Sequence, residues 1–197
     1  MATSHLKENL DRIKSEGFFE HLEIIRGIER ESLRVTKNNK ISNLDHPAAL
    51  GSALCSDEIT TDFAEALMEL VTPTFDSRKS LYNYLYALHH FVNTKIGDEV
   101  LWNFSMPCAF ESNAEIRLAE YGKSNQGRIK NIYRRGLKER YGSIMQCVSG
   151  IHYNFSLSET SIEKLLLALP SKKDSNEMYL GAIRNIKRMA PFLLVYF

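Results

Sequence analysis

Leu6, Leu10 and Ile13 recur at i, i+4 and i+7 and Gly17 follows, a spacing that predicts an amphipathic helix over 4–16. Residues 26–35, RGIERESLRV, alternate instead and carry Ile28, Leu33 and Val35, which predicts a strand. Turn formers fill 37–52. The segment ITTDFAEALMELVTP, 59–73, fits both periods: its middle favours helix, its ends favour strand, and Pro73 terminates it. From a cap at Asp76 or Ser77, the residues Leu81, Leu85, Leu88, Val92 and Ile96 share one face of a helix reaching about Lys95, with Gly97 beyond. A second helix is predicted over 128–141, with Ile129, Ile132, Tyr133 and Leu137 as its apolar stripe and Gly142 at its end. SGIHYNFSLS alternates strictly and predicts a strand. Helices over 160–169 and 176–189 follow, with Pro170 and Pro191 as stops. No repeat or linker interrupts the chain. Strands do not alternate regularly with helices, so the expected class is α+β rather than a doubly wound parallel sheet.

Composition adds boundaries. The chain has 197 residues, 44% hydrophobic and 25% charged, with a net charge of +1. These are the values of a soluble globular protein with no overall pull toward nucleic acid or anionic membrane. The N-terminus is polar and lacks an apolar core, so no secretory signal is expected. Cys55, Cys108 and Cys147 lack metal-type spacing, and reduced thiols in a cytoplasmic protein are the expectation. The run 190–197, APFLLVYF, is far short of the roughly 20 apolar residues of a membrane span. Either it is a final buried element, or the natural chain continues and covers it.

Four constellations carry candidate chemistry. On a strand, Glu29 and Glu31 point to one face and Arg30 and Arg34 to the other. Two carboxylates on one face repel unless a cation or shared proton relieves them. Either this face is solvated or it is a hard-metal site suited to Mg²⁺. The 59–73 segment supplies Asp62, Glu65 and Glu69 among apolar residues. As a strand over about 65–72 it sets Glu65, Leu67, Glu69 and Val71 on one face; as a helix it turns its acids to water. In SGIHYNFSLS, His152, Asn154 and Ser156 form a polar face opposite Ile151, Tyr153, Phe155 and Leu157. His152 fits either a metal or phosphate site or a structural hydrogen bond. The basic stretch contains Lys123, Arg128, Lys130, Arg134, Arg135, Lys138 and Arg140. It suits a solvated helix face, a nucleic-acid surface, or a few guanidinium groups meeting a small anion. No Gly-rich phosphate loop occurs, so any nucleotide would be held through metals and basic side chains.

RGIERESLRV, HPAALGSAL, ITTDFAEALMELVTP, LWNFSMPC, YGKSNQGRIKNIYRRGLKERYG and MQCVSGIHYNFSLS, in this order, resemble the N-terminal part of gamma-proteobacterial glutamate–cysteine ligases. The resemblance implies a glutamine-synthetase-like α+β fold with a curved, mostly antiparallel sheet. Residues 1–197 would be the N-terminal part of one catalytic domain, truncated at its C-terminus. The implied reaction uses ATP to phosphorylate the γ-carboxylate of L-glutamate, and the amine of L-cysteine then displaces phosphate, the first step of glutathione biosynthesis. By position, Glu29, Glu31, Asp62, Glu69 and His152 match the family's Mg²⁺ and phosphate cluster. Tyr133 and Arg134 match substrate-pocket positions near the cysteine, with Phe63 as a wall and Gln146 and Ser149 on the glutamate side. The implied partners are glutamate, cysteine and ATP, with neither nucleic acid nor membrane, and the implied location is cytoplasmic. Further ligands and most of the adenine pocket belong to the family's later portion, so residues 1–197 alone are expected to show no turnover. An inactive fragment or binding module of the same fold is the alternative, with a nucleic-acid-binding protein behind it.

Overall fold

The computed structural model describes residues 2–110, 112, 116–169, 171 and 174–196. Its elements are α1 (Ala2–Ser15), β1 (Ile24–Val35), β2 (Ile59–Thr61), β3 (Leu67–Val71), α2 (Arg78–Asn93), β4 (Val100–Leu101), α3 (Asn125–Tyr141), β5 (Ile151–Leu157), α4 (Glu159–Ala168) and α5 (Ser175–Tyr196). Serine caps set three of the helix starts. Ser77, Ser124 and Ser158 accept the N–H groups of Ser80, Gly127 and Ser161. The chain divides into two compact units, 26–155 and a second made of 1–25 with 156–197.

In the 26–155 unit β1 is the central strand. β3 pairs antiparallel with it in the register Glu29↔Val71, Glu31↔Glu69, Leu33↔Leu67, and β2 pairs antiparallel with β3. β4 pairs antiparallel with β1 at Arg34↔Leu101, and β5 also pairs with β1. The class is α+β with an open antiparallel sheet, as the lack of βα alternation predicts.

A side-chain period of two gives this sheet two unlike faces. Met68 and Leu70 point to one face and join Ile59, Leu88, Val92, Ile96 and Leu101 in a core beneath α2. Leu33, Val35 and Leu67 point to the other and join Phe63, Ile41, Ile116 and Cys147. Along that second face the apolar cluster stops at the Leu33↔Leu67 pair. The next same-face pair is Glu31↔Glu69.

The ambiguous 59–73 segment is a hairpin of β2 and β3, so the helical alternative is overturned. Pairing β3 with strands on both sides satisfies its backbone and buries both of its faces, which outweighs the helix propensity of the Ala-Glu-Leu middle. Glu65 lies in the turn and does not share the face of Glu69. It is buried, and its carboxylate accepts the N–H groups of His46 (2.8 Å) and Glu120 (2.9 Å).

Helix α3 also departs from its predicted stripe. Ile129, Ile132 and Tyr133 are exposed, whereas Gly127 and Arg134 are buried and Leu137 is partly so. The reason is close approach. A Cβ on Gly127 would stand 2.2 Å from the Tyr121 carbonyl oxygen, so this glycine lets the helix backbone meet the 117–122 segment. The face through Gly127, Asn131 and Arg134 is thereby turned inward.

In the second unit α1 packs on α4 and α4 on α5. Ser161 Oγ donates to the His21 carbonyl (2.7 Å) and accepts the Glu23 N–H (2.9 Å). Helix α5 continues through Pro191 instead of stopping there; proline removes its own N–H from the ladder but need not end a helix. The apolar C-terminal run is accordingly helical, with Leu194 and Val195 exposed. The expected stop at Pro170 and the terminal Phe197 lie outside the described residues.

Candidate functional site

β1 supplies Glu29 and Glu31, β3 supplies Glu69, and β5 supplies His152, all to the second face of the sheet. His152 Nδ1 donates to Glu29 Oε2 at 2.9 Å, and Asn154 Nδ2 donates to Glu29 Oε1 at 2.7 Å. Both oxygens of Glu29 are thus oriented from β5. Glu31 is tied to the start of β5 twice: its N–H donates to the Gly150 carbonyl (3.0 Å), and its Oε2 accepts the Gly150 N–H (2.7 Å). A Cβ on Gly150 would stand 3.0 Å from His152 Nε2 and 3.5 Å from Glu31 Oε2, so a larger residue here would require the imidazole to shift by a few tenths of an ångström.

Negative charge is crowded in this cluster. The His152 hydrogen bond is the main cause holding Glu29 below its ordinary pKa, with Asn154 adding to it against burial. His152 is raised in return, first by that bond and then by Glu31, Glu29 and Glu69, against desolvation. Glu69 is pushed up, chiefly by burial and then by Asp62, Glu31 and Glu29; of the charges acting on it, only His152 lowers its pKa. Asp62 therefore lies within electrostatic range of the cluster.

Asp62 also links the cluster to α3. Arg134 Nε donates to its carbonyl, and Arg134 Nη1 donates to the Lys130 carbonyl at 3.2 Å. The Arg134 guanidinium lies 4.4 Å from the centre of the Tyr121 ring, and Lys130 Nζ lies 4.8 Å from it. The remaining expected pocket residues differ in exposure. Tyr133 is 63% exposed, whereas Phe63 is 1% exposed within the core. Gln146 is half-buried in the 3₁₀ turn Ile144–Cys147. Ser149 is wholly buried, its N–H donating to the Ser105 carbonyl (2.8 Å) and its Oγ without a partner among the described residues.

Two contributors were missed from the sequence. Asn154 stands on the predicted polar face with His152, and the i, i+2 spacing was signal enough to include it. Gly150 carried no signal, since its role depends on a backbone exchange with a residue far away in sequence.

The donor set suits a hard divalent cation, being oxygen-rich and carrying unrelieved like charge at Glu69. Among the described residues, no three of the acidic and imidazole groups stand in ligating geometry as they are held here. Glu29 is engaged by His152 and Asn154, and Glu31 has one oxygen engaged by Gly150.

Comparison with known proteins decides the family. The glutamate-cysteine ligase profile matches residues 10–197. The chain belongs to the glutamate–cysteine ligase family. A glutamate–cysteine ligase of Pseudomonas entomophila is 43% identical over 197 residues, covering 98% of this chain and 36% of the relative. The Serratia proteamaculans ligase is 52% identical over 134 residues, 68% of this chain and 26% of the relative. Among solved structures, the Francisella tularensis glutamate–cysteine ligase in complex with AMP superposes with a TM-score of 0.72 at 43% identity, covering 74% of this chain and 29% of that one. A bifunctional glutathione synthetase from Pasteurella multocida gives 0.70 at 32% identity, covering 81% and 20%. This chain of the ligase family thus spans about a third of the length of the relatives it matches, as with the 36% of the Pseudomonas protein. Among the described residues, no helix is long and apolar enough to cross a membrane.

Proposed function

We propose that this region supplies part of the catalytic domain of an ATP-dependent ligase that joins the γ-carboxylate of L-glutamate to the amine of L-cysteine. Family membership and the AMP-bound neighbour support nucleotide use. The observation that carries the site assignment is the Glu31↔Glu69 pair beside Glu29 and His152 on a face from which the apolar core has withdrawn. Glu29, Glu31, Asp62, Glu69 and His152 are the residues that would hold Mg²⁺. When bound there, the ion would neutralise phosphate charge during phosphoryl transfer. The chain's own residues prepare for this: His152 and Asn154 fix the direction of the Glu29 carboxylate, and Gly150 fixes Glu31. Arg134, held to the Asp62 carbonyl, keeps the β2–β3 turn against α3. Tyr133, Arg134, Phe63, Gln146 and Ser149 are proposed as substrate-side positions on the family resemblance. We place the protein in the cytoplasm on the same grounds, with small-molecule substrates as its partners.

The test is a graft. Residues 10–197 replace the matching region of the Pseudomonas entomophila ligase, and glutamate- and cysteine-dependent ADP release is followed. Activity is expected in the graft, with at least a hundredfold loss on Glu69→Gln or Glu29→Gln, the scale on which catalytic metal sites respond. An inactive graft that is folded, or undiminished activity in both variants, overturns the assignment. Residues 1–197 alone are expected to release no ADP.

A further inference from the structure

The cations of the basic segment, with Arg117 just before it, divide into groups. Lys130 and Arg134 sit over the Tyr121 ring, Arg140 over Tyr141, and Arg117 is paired with Asp45 at 2.7 Å. Lys123, Arg128 and Arg135 are exposed, and among the described residues their side chains make no ion pair, ring contact or hydrogen bond. These three line one groove. A cavity of about 360 Å³ is bounded by the 117–123 segment with Asn131 and Arg135, and one of about 390 Å³ by Gly122, Lys123, Arg128, Asn131, Ile132 and Arg135. The two share Gly122, Lys123, Asn131 and Arg135 and so form a continuous concavity. Among the described residues its one carboxylate is Glu120. No member of the acidic cluster lines it.

We propose that this groove binds a small polyanion bearing phosphate groups, gripped by the Arg128 and Arg135 guanidinium forks with Lys123 opposite. Like charges gathered in a concave site repel until an anion relieves them, and a guanidinium fork meets phosphate oxygens two at a time. Asn131 is already committed at its base: its Oδ1 accepts the Tyr121 N–H at 3.1 Å, which fixes the groove floor. A small ligand is favoured over nucleic acid. Among the described residues of the basic segment, Lys138 is the one unpaired cation outside the groove, whereas a polynucleotide needs a track of them along its backbone.

The test is calorimetric titration of the protein with inorganic triphosphate at low salt, with a chelator present so that no divalent ion recruits the ligand to the acidic cluster. One site is expected, weakening steeply as salt is raised. The double variant R128Q/R135Q and the single Lys123→Gln, on the opposite wall, are each expected to bind at least tenfold more weakly. Lys138→Gln, outside the groove, is expected to bind as the parent does. All these side chains are exposed, and unchanged melting temperatures will show the fold intact. Absence of binding, equal binding by the groove variants, or equal loss in Lys138→Gln overturns the proposal. So does a single-stranded homopolymeric RNA that binds more tightly than triphosphate.

Discussion

Glu31 and Glu69 are direct partners across the antiparallel β1–β3 pair, two carboxylates on one face with a raised pKa at Glu69. Like charges directly opposite destabilise a sheet. Without divalent metal, Glu69→Gln is expected to raise stability at neutral pH by about 0.5 kcal/mol. The sign follows from linkage: a carboxyl with a raised native pKa binds more protons folded than unfolded. Its contribution therefore favours the fold at low pH and fades as pH climbs from the ordinary value of 4.5 through the raised one. Thermal melts across that window should slope downward in the parent and less so in the variant. Added Mg²⁺ should reverse the order, stabilising the parent only.

The His152–Glu29 pair works in the opposite sense. Its His152 component is full below the ordinary 6.5 and is lost as pH rises through the raised native value. Its Glu29 component is full above 4.5 and is lost as pH falls through the lowered native value. The pair thus supports the fold most between those limits. Both side chains are partly solvated, so His152→Gln is expected to cost only about 0.2–1 kcal/mol there, and less in high salt. Denaturant unfolding at three pH values measures it, and a uniform loss at all three would contradict the pairing.

Two glycines of α3 should respond with opposite signs. Gly127→Ala forces a Cβ into the Tyr121 backbone and is expected to destabilise by about 3 kcal/mol or more. A Cβ on Gly136 would meet nothing within 4 Å, and Ala there is expected to stabilise by about 0.5–1 kcal/mol through helix propensity. Chemical denaturation of the two variants side by side checks the inward face of the helix.

Arg34 is wholly buried, donating to Glu99 Oε2 at 2.7 Å and to the carbonyls of Leu44 and Glu65. Replacing it by Met strands the Glu99 carboxylate and is expected to cost about 3–5 kcal/mol. The double variant R34M/E99M should recover part of that loss. No recovery in equilibrium unfolding would mean that the carbonyl contacts, not the ion pair, dominate.

Strict alternation in RGIERESLRV and SGIHYNFSLS set Glu29 with Glu31, and His152 with Asn154, on shared faces, because a strand's side chains have a period of two; it did not foresee that Ile151, Tyr153 and Phe155, the apolar face of β5, are exposed. The 59–73 hairpin was not legible, since what decides it is pairing with β1, a long-range partner. The α3 stripe failed for a different reason. Counting apolar residues selects Ile129, Ile132 and Tyr133, but the buried face is chosen by the closest backbone approach, which Gly127 permits and no apolar residue can. Glu65, read as a strand residue, was expected to share the face of Glu69. Its burial against two backbone N–H groups makes it a tie between loops, and only the turn geometry reveals that.

Glu31 meets Gly150 across a separation of 119 residues, and it does so with both backbone and side chain. The stretch between them spans most of the sheet's own sequence, so the contact adds to the non-local pairings with which slower folding correlates. The β5 wall of the acidic face is thus supplied from the far end of the 26–155 sequence. A molecule in which β5 had left β1 would carry the carboxylates without the Gly150 N–H that orients Glu31, so cation binding there would report whether β5 is docked.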